Sequence, residues 1–167
     1  MGLAEDLEQI ARQERELVLP RLDAEMAWQL GSCMRELALT RRLAVVMDVR
    51  RFGQPLFYCA LDGTTPDHPE WVRRKGNVVE RFHISSYAAG IKEKIKGQTL
   101  EESQGLPVGD YATHGGSFPL RVAGAGVIGS ATVSGLPMRQ DHELVVEALC
   151  AVLGRDYAVL KLPAEKS

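Results

Sequence analysis

Lys75 is the side chain whose type and setting most directly invite chemistry. Trp71, Lys75, Val78, Val79 and Phe82 recur at i, i+4, i+7, i+8 and i+11, the spacing of one helical face. An ammonium in that apolar stripe is costly unless it reaches water, meets a counter-charge or holds a ligand. Two readings stand side by side. In one, Lys75 pairs with a carboxylate such as Asp48 or Asp62; in the other, it lines a pocket and binds an anion.

His114 is the second candidate. It precedes Gly115 and Gly116, whose backbone can adopt positive φ and approach another group closely. A histidine in that position can bind haem iron through a ring nitrogen or exchange protons near neutral pH. Read as a site, Lys75, His114, Gly115 and Gly116 border one pocket at an end of a sheet. There Lys75 attracts a carboxylate or phosphate, and the glycine N–H groups donate to it. Read structurally, His114 is a loop histidine bonded to backbone.

Other chemistry is not encoded. Ser117 and Ser134 lack the G-x-S-x-G turn of a strained nucleophile, and no His/Cys pair has structural zinc spacing. Gly124, Gly126 and Gly129 lack the spacing of a dinucleotide loop. Asp141 is expected to cap the last helix, and His142, just after it, to be neutral and structural. Met34 and Met47 read as core.

The elements that must position these residues follow from periodicity. Leu3, Leu7, Ile10 and Leu17 mark a leading helix that Pro20 interrupts. Asp23 begins a second helix with the stripe Met26, Leu30, Cys33, Met34 and Leu37. Alternation predicts strands at Leu43–Val49 and Leu56–Ala60, turned at Phe52-Gly53-Gln54. Pro69 is placed as the first residue of a third helix reaching Phe82. Ser85 or Ser86 caps a shorter helix through Ile95, and Gly97–Gly109 reads as a connecting loop. Strands at Phe118–Ala123 and Val127–Val133 form a hairpin before the last helix. Strand pairs separated by helices, without βαβ regularity, predict an α+β fold with a mostly antiparallel sheet and helices packed on it.

Composition bounds the rest. The chain has 167 residues, 45% hydrophobic and 25% charged, enough for one domain with its own core. The organisation expected is a helical extension over residues 1–20, a single domain over 21–162 and a polar tail over 163–167. A net charge of −2 leaves no basic footprint for nucleic acid. The acidic, amphipathic N-terminus is not a secretory signal, and no apolar run has membrane-span length. Cys33, Cys59 and Cys150 are odd in number and each falls in an apolar stretch, so they read as reduced core residues of a cytoplasmic protein.

Several short motifs carry a family resemblance: Trp71-Val72-Arg73-Arg74-Lys75, Arg81-Phe82, Ser85-Ser86-Tyr87, His114-Gly115-Gly116-Ser117-Phe118-Pro119, and Val133-Ser134-Gly135-Leu136-Pro137 with Asp141-His142. In these the chain resembles the GlcG/HbpS-like, or haem-degrading-domain, family, in a branch found in bacteria and fungi. The resemblance spans Leu22 to Leu153. It implies a profilin-like fold and a homodimer or larger homo-oligomer, for which the Arg73/Arg74 face and the N-terminal helix are the candidate contacts. It also implies haem or tetrapyrrole binding with a haem-degrading role. The alternative is a non-enzymatic oligomeric module that binds a small anionic metabolite or a protein partner. Haem ligands differ within the family, so His114 is a candidate iron ligand by residue type alone.

Overall fold

A computed structural model describes residues 2–165. Met1 of the expected extension, and residues 166 and 167 of the expected tail, lie outside that range. Helix α1 (Gly2–Glu16) runs into a two-residue strand β1 (Val18–Leu19). Helix α2 (Ala24–Thr40) starts where the Asp23 carboxylate accepts the Met26 N–H at 2.8 Å. Strands β2 (Val46–Arg51) and β3 (Gln54–Ala60) form the first hairpin. Helices α3 (Asp67–Phe82), α4 (Ser86–Lys96) and α5 (Leu100–Gln104) follow, then the hairpin β4 (Ser117–Val122) and β5 (Gly126–Ser134). Helix α6 (Met138–Leu153) and the short α7 (Tyr157–Leu160) complete the chain.

The strands form one sheet in the order β1-β4-β5-β2-β3. Every pairing is antiparallel except β1 with β4. All four predicted strands are present, with shifted ends. The largest shift is in β2, which begins at Val46 rather than Leu43. Residues 41–43 are still leaving α2: Arg42 has φ of 54° and Leu43 N–H bonds the Ala38 carbonyl at 2.9 Å. Pro55 is tolerated in β3 because that strand is an edge.

Helix α3 begins two residues before Pro69, which sits in the first turn, where a missing N–H costs nothing. The segment read as a loop contains α5, closed by a reciprocal capping box between Thr99 and Glu102. Helix α1 is built into the domain rather than appended to it. Its buried Gln13 accepts from His142 at 2.8 Å and donates to the Leu160 carbonyl at 2.8 Å, and its Asp6 pairs with Arg139. Strand β1 then extends the sheet.

The two faces of the sheet differ. Met47, Val49, Phe118, Leu120, Ala131 and Val133 point to one side, against α2 and α6, and are buried with Leu30, Met34, Val145 and Leu149. Phe57 packs over α2 so closely that a Cβ on Gly31 would lie 2.3 Å from its ring. The other face carries Asp48, Ser117, Ser130 and Thr132, all buried, and is covered by α3. The three cysteines are free, and none of the described helices is long and apolar enough to cross a membrane.

Candidate functional site

The polar face leads to a cleft of about 260 Å³ where the first turns of α3 and α6 meet the end of β5. Asp67, His68, Trp71 and Lys75 line it from α3, Met138 and Asp141 from α6, and Ser134 to Leu136 from the β5–α6 corner. His114, on the segment entering β4, closes one side.

Lys75 and Asp141 form its inner wall. They are 3% and 2% exposed, with Lys75 Nζ 3.0 Å from Asp141 Oδ2. The same ammonium donates to the Val133 carbonyl at 3.2 Å, and the other Asp141 oxygen accepts the Leu136 N–H at 2.9 Å. Burial pushes the Lys75 ammonium below its ordinary pKa and the Asp141 carboxyl above its own, while their mutual attraction opposes both shifts. The stripe lysine is thus answered by a carboxylate, but neither Asp48 nor Asp62 supplies it. Asp48 is held instead by Arg50, through two bonds of 2.7 Å. Asp141 also departs from the expected cap. It lies inside the first turn of α6 and reaches back to the corner, and Pro137 holds the cap position.

His114 stands edge-on to Trp71, with ring centroids 5.0 Å apart. Its placement comes from α3. Arg74 lies over the Trp71 ring at 4.6 Å and donates to the Val108 carbonyl at 2.6 Å. Arg73 bonds Asp110 at 3.0 Å and the Gly109 carbonyl at 3.0 Å, and Asn77 donates to the Asp110 carbonyl at 2.8 Å. These bonds tie the segment before His114 to the helix. Arg73 and Arg74 therefore clamp that segment to α3 from within the chain.

The His114 ring is exposed at the cleft mouth. Partial burial and the positive charges of Lys75, Arg74 and Lys94 depress its pKa, so the imidazole is neutral at pH 7. Among the described residues, no hydrogen bond contributes to holding either ring nitrogen.

Gly115 and Gly116 do not line the cleft. A Cβ on Gly115 would lie 2.3 Å from the Met138 carbonyl oxygen. On Gly116, at φ +138°, it would lie 2.3 Å from the Val133 carbonyl and 2.7 Å from Lys75 Nζ. The glycines thus let the chain pass between β5 and α6 and leave room for the buried ammonium, instead of cradling an anion. Sequence reasoning missed His68 and Asp67 as lining groups. Their signal was the Asp67-His68-Pro69 helix start, where side chains of a first turn face whatever the helix end meets. His142, in contrast, is a core residue. Burial drives its pKa down to about 3, which keeps it neutral.

Among the described residues, no three His, Cys, Asp or Glu side chains are grouped to hold a metal ion. The cleft presents the His114 and His68 imidazoles, the Trp71 ring and a floor formed by the Lys75–Asp141 pair.

Comparison with known proteins fits this fold. A UPF0303 protein of Burkholderia thailandensis is 63% identical over 162 residues, covering 97% of this chain and 98% of its own. One from Acidobacterium capsulatum is 61% identical over 163 residues, covering 98% and 99%. Among solved structures, Ybr137w superposes with a TM-score of 0.82 at 27% identity, over 89% of this chain and 88% of that one. A PduOC–haem complex superposes with a TM-score of 0.68 at 20% identity, over 78% and 94%. The fold is accordingly α+β and profilin-like. The model of the family described as haem degrading protein HbpS-like matches residues 22–150, and with most of the chain so matched, the protein belongs to the HbpS-like family.

Proposed function

We propose that this protein binds haem or a related tetrapyrrole at the mouth of the Trp71–His114 cleft, where His114 would offer a ring nitrogen to the iron. The observation that carries the reading is the His114 imidazole, neutral, exposed and set against an aromatic wall. Family membership and the haem complex of a structural neighbour support it.

The residues present fit such a group in part. Trp71, Leu136 and Met138 supply apolar surface, and Arg74 and Lys94 place positive charge near His114 for carboxylates. Lys75 does not serve there, because Asp141 already neutralises it. A cleft of about 260 Å³ is smaller than the ~300–1,000 Å³ that usually encloses a ligand, so it would enclose only part of such a group. Bound haem supplies the redox and oxygen chemistry that the side chains lack. This chain's part is to bind and orient it, and the reading stops at binding. Titration with haemin tests it: a Soret shift that His114→Ala abolishes is the expected result. No shift, or the same shift in the variant, overturns it.

A homo-oligomer is part of the proposal. The Arg73/Arg74 clamp is engaged within the chain, and on α1 Ile10 is buried while Leu3 at its start stays 39% exposed. The unpaired edge of β3, where Tyr58 is 49% exposed and where Trp28, 63% exposed, packs edge-on to Phe57, offers a further contact. Light scattering is expected to give a dimer or larger mass that Trp28→Glu reduces. A monomer mass for the unaltered protein counts against it.

A further inference from the structure

The first turn of α6 has two working sides. Met138 and Asp141 line the His114 cleft, while Arg139 and His142 turn the other way, toward α1. Arg139, 16% exposed, pairs with Asp6 of α1, donates to the Pro163 carbonyl and reaches the Tyr87 hydroxyl at 3.4 Å. His142 donates to Gln13 of α1 at 2.8 Å. One helical turn is thus a cleft wall on one side and an anchor on the other.

What it anchors has a small core of its own. Ile10, Tyr87, Ala88, Ile91 and Leu162 are buried together, apart from the main apolar core. Leu17 and Leu160 belong to the main core, so α1 and residues 161–163 depart from it at those two points. Beyond them the two segments hold each other. Gln9 donates to the Val159 and Lys161 carbonyls at 2.9 and 3.0 Å, and Gln13 donates to the Leu160 carbonyl at 2.8 Å. Both segments lie outside residues 22–150, which the family model matches. A unit held by few apolar side chains and by exposed hydrogen bonds opens at lower free energy than a buried sheet. Its position is passed to the cleft through Met138 and Tyr87. A Cβ on Gly115, the residue after His114, would lie 2.3 Å from the Met138 carbonyl oxygen and 3.2 Å from the Tyr87 ring.

We propose that α1 and residues 161–163 form a clasp, tied by Arg139, that holds the α6 wall of the His114 cleft, and that clasp and wall open together. Arg139 is then a positioning residue, which acts on the cleft through Met138 and Tyr87 without lining it. Any group seated against the closed wall favours the closed clasp, and the closed clasp favours that group by the same factor. The proposal concerns how the cleft is held, not what it holds. It is tested without ligand, so failure of the haemin titration is a separate result.

The test is native-state hydrogen exchange of the full chain at low urea. The Ile10 and Leu162 amides report on the two arms of the clasp, Leu162 through its bond to Glu143 at 2.5 Å. The Leu136 amide, bonded to Asp141 at 2.9 Å, reports on the cleft corner. These three are expected to share one opening, more frequent than that of β2 and β5. Asp6→Ala, at a residue that lines no part of the cleft, and Arg139→Gln each remove a charge-assisted bond and speed all three by about tenfold or more. Val49→Ala, in the main core, speeds exchange in β2 and β5 and leaves the three unchanged. Exchange of Leu136 only with β2 and β5 overturns the proposal. So does Asp6→Ala speeding Ile10 and Leu162 with Leu136 unchanged, or Val49→Ala speeding every amide alike.

Discussion

The two faces of the sheet are each covered by helices, yet they are assembled from opposite materials. Toward α2 and α6 the strands present Met47, Val49, Phe118, Leu120, Ala131 and Val133, all buried among other apolar side chains. Toward α3 they present Asp48, Ser117, Ser130 and Thr132, and the helix itself buries Lys75. Apolar contacts on the first face are non-directional and each adds to stability roughly in proportion to area. Most groups on the second face meet specific partners, Asp48 with Arg50, Thr132 with Ser117 at 2.8 Å and Lys75 with Asp141, while the buried Ser130 hydroxyl has none among the described residues. One face therefore holds the domain together, and the other fixes which parts of the chain meet at the cleft.

Cutting into the apolar face is the most damaging change. Phe118→Ala is expected to cost about 3–5 kcal/mol in urea denaturation, through lost burial and the cavity left behind. A loss below about 1 kcal/mol would show that this face is not the main source of stability.

The polar face should respond differently, because its failure can be repaired. Lys75→Met leaves Asp141 buried without its cation and is expected to cost about 3 kcal/mol. Adding Asp141→Leu removes the stranded charge and recovers most of that loss. If the double variant is as unstable as the single one, the pair contributes something other than mutual neutralisation.

His142 lies where the two regimes meet, packed against Phe118 and Tyr87 and bonded to Gln13. Its pKa falls from 6.5 to about 3 on burial, so below about pH 6.5 the unfolded chain takes up a proton that the folded chain refuses. Its contribution to stability is complete above that pH and is lost as pH falls toward about 3. The slope approaches ~1.4 kcal/mol per pH unit. Stability measured against pH in the protein and in His142→Phe should differ by this slope, and parallel curves would contradict it.

The smallest effect on stability belongs to the residue with the largest expected effect on ligand binding. His114→Ala, at an exposed position, should stay within ±0.5 kcal/mol by thermal melt while removing the haemin response.

Much of the fold was legible from the chain. Alternation located the four main strands because one face of each is continuously apolar, and Asp23 and Ser85 marked helix starts through their capping oxygens. β1 escaped because two residues carry no periodicity. Its place in the sheet depends on β4, about a hundred residues further along. α5 escaped because Thr99 and Glu102 are ordinary loop residues until they cap one another.

The site was half legible. An ammonium on an apolar stripe announced that Lys75 needed a partner, since the cost of burying a charge depends only on the local pattern. That the partner is Asp141, 66 residues away, and not the nearer Asp48 was a matter of tertiary structure. The reason is geometric: within a strand, Asp48 and Arg50 lie on the same side and satisfy each other, which removes Asp48 from the competition. The Gly-Gly pair was recognised as a place of close approach, but local sequence does not specify what approaches. Periodicity and residue chemistry thus determined which elements form, which faces are buried and which groups require partners. Only the crossing of α3 and α6 over the sheet decided who those partners are, because an ion pair needs two groups brought within a few ångströms, and that distance is set by the whole fold.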